Sequence, residues 1–194
     1  MRVISGTAKG KQLKMVPGDT TRPITDRTKE ALFNILGDWV VDARILDLFG
    51  GTGAVGIEAL SRRAGHVTFV DNSKEATQTI GENLRLTGLA DRAYVRRKDA
   101  FQFLQSPPLD LEPYDLIYIA PPQYKELWIK AIEHLDRHLP AWLLPDGAII
   151  VQIHPREYRE LALQNLVLYD QRKYGSTILC FFEQATESGT GQPA

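Results

Sequence analysis

Apolar and polar positions change their period several times along the chain, and each change predicts an element. D-R-T-K-E-A-L-F-N-I-L, from Asp26, sets Ala31, Leu32, Ile35 and Leu36 at helical spacing. Thr25 or Asp26 can cap this helix, with Glu30 in its early turns. A-R-I-L-D-L-F reads as a strand, and G-G-T-G-A-V-G-I-E-A-L-S-R-R turns directly from it into a helix. H-V-T-F-V-D is the next strand. A helix follows over about Ser73–Thr87, with Gly88 placed to end it. A-Y-V-R-R predicts a strand leading to Asp99 and a short helix, A-F-Q-F-L-Q; Pro107 and Pro108 mark a loop. D-L-I-Y-I, from Asp115, reads as a buried strand ending at Ala120-Pro121-Pro122, before a helix from about Lys125 to Leu139. Pro145-Asp146-Gly147 predicts a turn before the strand A-I-I-V-Q-I, and a helix is expected around Arg156–Gln164. V-L-Y-D-Q-R-K-Y and T-I-L-C-F-F are the final strands.

Alternating strands and helices predict an α/β fold with a doubly wound, mostly parallel sheet. The last two strands are joined by K-Y-G-S, too short for a parallel crossover, so they are expected to pair antiparallel. Ahead of this domain, V-I-S-G and K-Q-L-K-M-V predict a short hairpin broken near Pro17-Gly18. The expected organisation is a basic hairpin extension over 1–24, the α/β domain over 25–184, and a disordered tail over 185–194, where core residues are scarce. The chain shows no internal repeat.

The 194 residues suffice for one well-buried domain without disulfides. The single cysteine, Cys180, lies in an apolar run and is expected to be a packed thiol. No apolar stretch approaches the ~20 residues of a membrane span, and no signal core follows the first charges. A soluble cytoplasmic protein is expected. Net charge is −1, but it is unevenly distributed. Arg2, Lys9, Lys11, Lys14, Arg22, Arg27 and Lys29 outnumber Asp19, Asp26 and Glu30 in the first thirty residues. Such an excess suits phosphate contact or a merely solvated face. The histidines lack metal-ligand spacing, and no metal is expected.

Gly51, Gly53 and Gly56 form G-x-G-x-x-G between a strand and a helix. Glycines there let a ligand approach the backbone at a helix start with unpaired N–H groups. The motif points to a nucleotide-like cofactor without selecting one. Asp71 ends the next strand, where a ribose-binding acid stands in dinucleotide folds. Asp47 stands four residues before Gly51, where it would repel a pyrophosphate and attract an amine. S-adenosylmethionine has an ammonium and no phosphate, so Asp47 favours it over NAD. Asp99, with Ala100 and Phe101, is placed to receive an adenine. The candidate cofactor contacts are Asp47, Phe49, Gly50, Gly51, Gly53, Asp71, Asn72, Asp99 and Ala100.

Four segments resemble the bacterial family that methylates the exocyclic N2 of one guanine in 16S rRNA, the small-subunit rRNA methyltransferase D type. They are R-V-I-S-G-T-A-K-G-K-Q-L, T-R-P-I-T-D-R-T-K-E-A-L-F-N-I-L, I-L-D-L-F-G-G-T-G-A-V-G-I-E-A-L-S-R and K-Y-G-S-T-I-L. The resemblance implies a seven-stranded Rossmann-like class I fold, S-adenosylmethionine as methyl donor and a 16S rRNA target, guanine 966. It also implies a 30S subunit or assembly intermediate as partner, with a monomeric enzyme.

The family's turn carries an acid or amide before Pro-Pro and an aromatic directly after it. Ala120, Pro121, Pro122 and Gln123 occupy those positions, with Tyr124 one residue late. Ala120 has no side-chain acceptor, but its carbonyl or the Gln123 amide oxygen can accept an N2 proton, and no strong base is required. The prolines can fix that carbonyl, and Tyr124 can stack on the base. Arg2, Lys9, Lys11, Lys14, Arg22 and Arg27 are the candidate RNA contacts, and Arg172, Lys173 and Tyr174 can approach the substrate from the closing turn. Trp39, Trp128 and Trp142 are expected to pack. The alternatives are an amino-methyltransferase acting on DNA adenine or a protein amide, a non-catalytic RNA-binding homologue, and an NAD-binding domain.

Overall fold

A computed structural model of the chain describes residues 1–18, 24–105 and 112–186. Arg22, the Pro107-Pro108 loop and most of the expected tail lie outside those residues. The helices are α1 Asp26–Leu36, α2 Ala54–Ser61, α3 Lys74–Thr87, α4 Ala100–Leu104, α5 Leu127–Arg137 and α6 Leu139–Trp142. The strands are β1 Arg44–Leu48, β2 His66–Asp71, β3 Ala93–Arg97, β4 Tyr114–Ile119, β5 Leu143–Ile153, β6 Leu166–Tyr174 and β7 Thr177–Gln184. Among the described residues no helix is long and apolar enough to cross a membrane.

The seven strands form one sheet in the order β3-β2-β1-β4-β5-β7-β6. β1 to β5 pair parallel, while β7 runs antiparallel to both β5 and β6. The chain winds outward from β1 to β3, then restarts beside β1 with β4. That reversal opens a crevice at the carboxyl ends of β1 and β4, where doubly wound sheets bind ligands. One face of the sheet is covered by α1, α2, α3 and the N-terminal segment, with Ile57, Leu60, Phe69 and Ile80 in its core. The other is covered by α4, α5 and α6 around Trp128 and Trp142. All eight residues of α2 are buried, matching its almost wholly apolar composition. The Thr25 hydroxyl caps α1, Ser73 caps α3, and Gly88 ends α3 at φ 72°. Cys180 is fully buried.

The N-terminal hairpin is reduced to one antiparallel bridge, Arg2 with Gln12. Rather than projecting, this segment packs on the domain, and Val3, Ala8 and Leu13 join the core. The fully buried Glu58 of α2 holds it. One carboxylate oxygen accepts the Ile4 N–H at 2.7 Å and the other accepts the Ser5 N–H at 3.0 Å. Lys29 of α1, also fully buried, pairs with Glu58 at 3.2 Å, and Arg62 pairs with it at 2.9 Å. Gly6 passes so close to α2 that an added Cβ would lie 1.8 Å from the Ser61 carbonyl oxygen.

Three local expectations are corrected. Residues 156–164 form no α-helix: a 3₁₀ turn at Pro155–Glu157 precedes irregular chain. Asp136 accounts for part of this, since its carboxylate accepts the backbone N–H groups of Gln164, Asn165 and Leu166. Tyr158, Leu161 and Leu163 meanwhile pack against the α5 side of the core. Pro145–Gly147 lies inside β5 as a jump in its pairing with β4. Trp39 is 40% exposed, because its short 3₁₀ turn leaves the core after α1.

Candidate active site

The glycine-rich loop leaves β1 through an unusual backbone path. Phe49 sits at φ 67°, Gly51 at 54° and Gly53 at 76°. The glycines accept this region readily, whereas Phe49 is held there against its preference. Gly56 serves packing instead, since a Cβ there would lie 2.3 Å from the Phe69 ring. An added Cβ at Gly51 would have only the Phe49 carbonyl oxygen within reach, at 4.0 Å, so that side of the loop is open. Phe49 meets Phe101 edge-on, with ring centroids 6.2 Å apart.

The three acids lie at successive strand ends with different duties. Asp71 braces the loop: one carboxylate oxygen accepts the Gly51 N–H and the other the Ser73 N–H, both at 2.9 Å. Asn72 beside it is exposed. Asp99 caps α4 through a single oxygen, which accepts the Phe101 and Gln102 N–H groups at 3.0 Å. Its other oxygen has no described protein partner. Ala100, next to it, is buried. Asp47 is only 2% exposed, and its Oδ2 accepts the Gly56 N–H at 3.1 Å. Burial pushes its carboxyl up to about 7; the Gly56 hydrogen bond opposes this and the Asp71 charge adds to it. Asp47 thus faces inward more than its sequence position suggested, with one oxygen tied to α2 and the other without a donor among the described residues.

The Pro-Pro turn begins beside this loop, where the β1–β4 pairing ends. The Ala120 N–H donates to the Leu48 carbonyl at 3.4 Å. Pro121 is buried, Pro122 half-buried, and Gln123 and Tyr124 are exposed, Tyr124 by 66%. Tyr124 takes φ 61° and Glu126 53°, so the turn carries two left-handed non-glycine residues. Glu157 fastens it, accepting the Tyr124 N–H at 2.6 Å and the His154 N–H at 3.2 Å. The Tyr124 and His154 rings lie 5.8 Å apart.

A cleft of about 390 Å³ opens beside the turn. Gln123, Thr25, Arg27, Gln152, Lys173 and Tyr174 are among its walls, bringing four separate sequence segments together. A larger hollow of about 760 Å³ lies around Ser61–Arg63, at the opposite end of α2 from the glycine loop and away from these acids.

The candidate RNA contacts divide. Arg27 lines the cleft, and Lys9 and Lys11 are exposed without acidic partners among the described residues. Lys14 pairs with Glu82 at 2.9 Å and Arg2 lies 3.7 Å from Asp26, so their charge is already partly answered. Arg172 pairs with Asp170 at 2.8 Å. Glu157, His154, Gln152 and Tyr118 escaped the sequence reading. H-P-R-E at 154–157 does carry a signal: it forms a capping box in which His154 receives the Arg156 N–H and Glu157 reaches back.

The chain is similar to known proteins over most of its length. The profile of the family described as Conserved hypothetical protein 95 matches residues 1–183. YlbH of Bacillus subtilis, provisionally named an rRNA methyltransferase, is 40% identical over 186 residues, 95% of this chain and 99% of that protein. Ribosomal RNA small subunit methyltransferase D of Escherichia coli K12 is 34% identical over 152 residues, 78% of this chain and 74% of its own. The solved structure of yhhF from Escherichia coli, provisionally named a methyltransferase, superposes with a TM-score of 0.81 at 31% identity, covering 96% of this chain and 99% of that one.

Proposed function

The chain belongs to the Conserved hypothetical protein 95 family, and from that premise we propose that it is an S-adenosylmethionine-dependent rRNA methyltransferase. Its target is the exocyclic N2 of one guanine in 16S rRNA, guanine 966, presented in a 30S subunit or an assembly intermediate. One observation carries the reading: the Ala120–Leu48 hydrogen bond sets the Pro-Pro turn against the glycine loop, so a donor site and an acceptor site share one sheet edge.

S-adenosylmethionine supplies a methyl group made electrophilic by its sulfonium. The residues present suit it. Asp47, a largely buried residue, has one carboxylate oxygen without a donor among the described residues, which favours an ammonium over a phosphate. Asp71 keeps acceptor capacity beyond its two loop hydrogen bonds, suited to ribose hydroxyls. Asp99 has an unused oxygen for an amino group, next to Ala100 and Phe101. Gly51 keeps the approach clear, while Gly50 and Gly53 let the loop pack against Ile80.

The guanine N2 lone pair is delocalised into the ring, so the amine is a weak nucleophile. The chain's contribution is position and hydrogen bonding, which suffice for large accelerations when attack geometry is held. The Ala120 carbonyl and the Gln123 amide oxygen are the acceptors for N2 protons. Pro121 and Pro122 stiffen the backbone that presents them. Tyr124 offers an exposed ring for stacking, and Lys9, Lys11 and Arg27 offer phosphate contacts. The test is transfer of labelled methyl to 30S subunits lacking the modification, followed by nucleoside analysis. N2-methylguanosine is the expected product; label in another nucleoside, in protein or nowhere would overturn the proposal.

A further inference from the structure

Gln152, near the end of β5, lines the same cleft as Gln123. Its side-chain Oε1 accepts the Tyr118 hydroxyl at 2.5 Å. Tyr118 stands on β4 in register with Asp47 on β1 and Ile150 on β5. The three side chains therefore share one face of the sheet, and Gln152, two residues beyond Ile150, shares it too. Tyr118 is 2% exposed, and burial pushes its phenol well above the ordinary range, with the Asp47 charge adding to the effect. The phenol is a neutral donor at any working pH, and a buried donor needs an acceptor. Gln152 Oε1 meets that need.

The pairing fixes the Gln152 amide. With Oε1 held by Tyr118, the Nε2 group and its two N–H donors are left for the cleft. Among the described residues nothing accepts from them, and Nε2 is not sealed from the cleft. A fixed, unpaired donor beside a substrate turn specifies an acceptor on the substrate.

Resting on the guanine-N2 reading above, we propose that Gln152 is a specificity-determining residue that donates from Nε2 to guanine O6, with Tyr118 as its positioning residue. Adenine carries an amino donor where guanine carries O6. Facing Gln152, that amine would set donor against donor and leave both unpaired. O6 and N2 flank N1 on one edge of the base. Gln152 and Gln123 on the walls of one cleft can therefore read the two groups together.

The test replaces the target guanine of reconstituted 30S particles with 2,6-diaminopurine, which keeps the N2 amine but has an N6 amine in place of O6. The readout is the ratio of single-turnover methyl-transfer rates on the two particles, for wild type and for Gln152→Glu, Gln152→Met and Tyr118→Phe. Wild type is expected to prefer guanine by about tenfold or more, the cost of one unpaired buried polar contact. Gln152→Glu replaces the donors with an acceptor and should erase or reverse the preference. Gln152→Met keeps the bulk without the amide and should bring the ratio near one, covering the case in which the glutamate variant misfolds. Tyr118→Phe should narrow the preference by freeing the amide to rotate, an effect that a merely structural hydroxyl would not produce in folded enzyme. A guanine preference unchanged in both Gln152 variants would overturn this inference alone. Wild-type enzyme that forms no N2-methylguanosine on the guanine particle would overturn it together with the proposed function.

Discussion

The Glu157 carboxylate accepts the backbone N–H of Tyr124 at 2.6 Å and, through its other oxygen, that of His154 at 3.2 Å. One side chain thereby joins the Pro-Pro turn to the end of β5. The turn needs such a fastener. Tyr124 and Glu126 both occupy the left-handed region, at about 1 kcal/mol or more each. Glu157→Ala should let the turn relax and lower the single-turnover rate about tenfold, with S-adenosylmethionine affinity unchanged in calorimetry. Glu157→Gln retains one acceptor and should fall between. A wild-type rate in the alanine variant would show that the turn holds its shape unaided.

The turn itself divides into two roles that substitution can separate. Tyr124→Ala should cut methyl transfer about tenfold or more and leave donor binding intact, because base stacking is worth ~1–3 kcal/mol. Gln123→Ala addresses the acceptor. A large loss assigns the N2 proton to the side-chain oxygen, and a small one assigns it to the Ala120 carbonyl. Ala120→Asp should remain active, since it restores an acid where the resemblance expects one. A Tyr124→Ala enzyme as fast as wild type would leave the ring outside the mechanism.

The sheet was legible because its determinants are local. Apolar runs, the glycine loop, the Ser73 and Gly88 caps and the short K-Y-G-S connection each select a conformation from neighbouring residues. Gly88 and K-Y-G-S needed no knowledge of distant chain. The region after β5 was not legible, because its backbone donors are claimed by Asp136 on a remote helix. Glu58 shows the same limit at the N-terminus. In G-I-E-A-L-S it reads as an ordinary polar helix position. In the fold it is fully buried, with Lys29 and Arg62 as its ionic partners. The basic hairpin likewise looked like an appendage because its charges were counted, while the placement of Val3, Ala8 and Leu13 in the core depends on α2.

Glu58 accordingly predicts a stability effect. Removing it leaves the Lys29 ammonium buried and unpaired, with only the Arg2 carbonyl at 2.6 Å to receive it. Burial already pulls the Lys29 amine below its usual range, and the Glu58 charge opposes that. Glu58→Ala should cost ~3–5 kcal/mol in denaturant unfolding, the usual cost of breaking a buried pair. Changing Lys29 and Glu58 together to Met and Leu should recover much of that loss. Equal destabilisation by the single and double changes would mean that the N–H groups of Ile4 and Ser5, rather than the ion pair, set the cost.

Lys9 and Lys11 are exposed with no acidic partner among the described residues, whereas Lys14 has Glu82 at 2.9 Å. Each phosphate neutralised adds roughly 0.7–0.9 to the slope of log affinity against log salt. Lys9→Gln with Lys11→Gln should therefore flatten the slope for 30S binding by roughly 1.4–1.8. Lys14→Gln should change it less, because that lysine must first leave Glu82. Identical slopes in all variants would make the segment a solvated face and move RNA contact elsewhere, with Arg27 the first candidate.

Asp47 connects the burial of one carboxyl to the pH dependence of donor binding. Burial disfavours its charge and pushes the carboxyl from the ordinary 3.8 up to about 7. The folded protein therefore holds this proton between those values when the unfolded chain has released it. Its contribution to stability is fully present below the unfolded value and is lost as pH rises through the folded one. Donor binding should run the other way. An ammonium favours the ionised carboxylate, so S-adenosylmethionine affinity should rise with pH, steepest below about 7, and level off above it. The slope should approach tenfold per unit where Asp47 is mostly protonated. Asp47→Asn should bind more weakly at pH 8 and lose that slope, since its amide carries no titrating proton. Calorimetry of donor binding from pH 5.5 to 8.5 reads both enzymes. A flat wild-type profile would mean that Asp47 serves α2 through Gly56 alone and does not meet the ammonium.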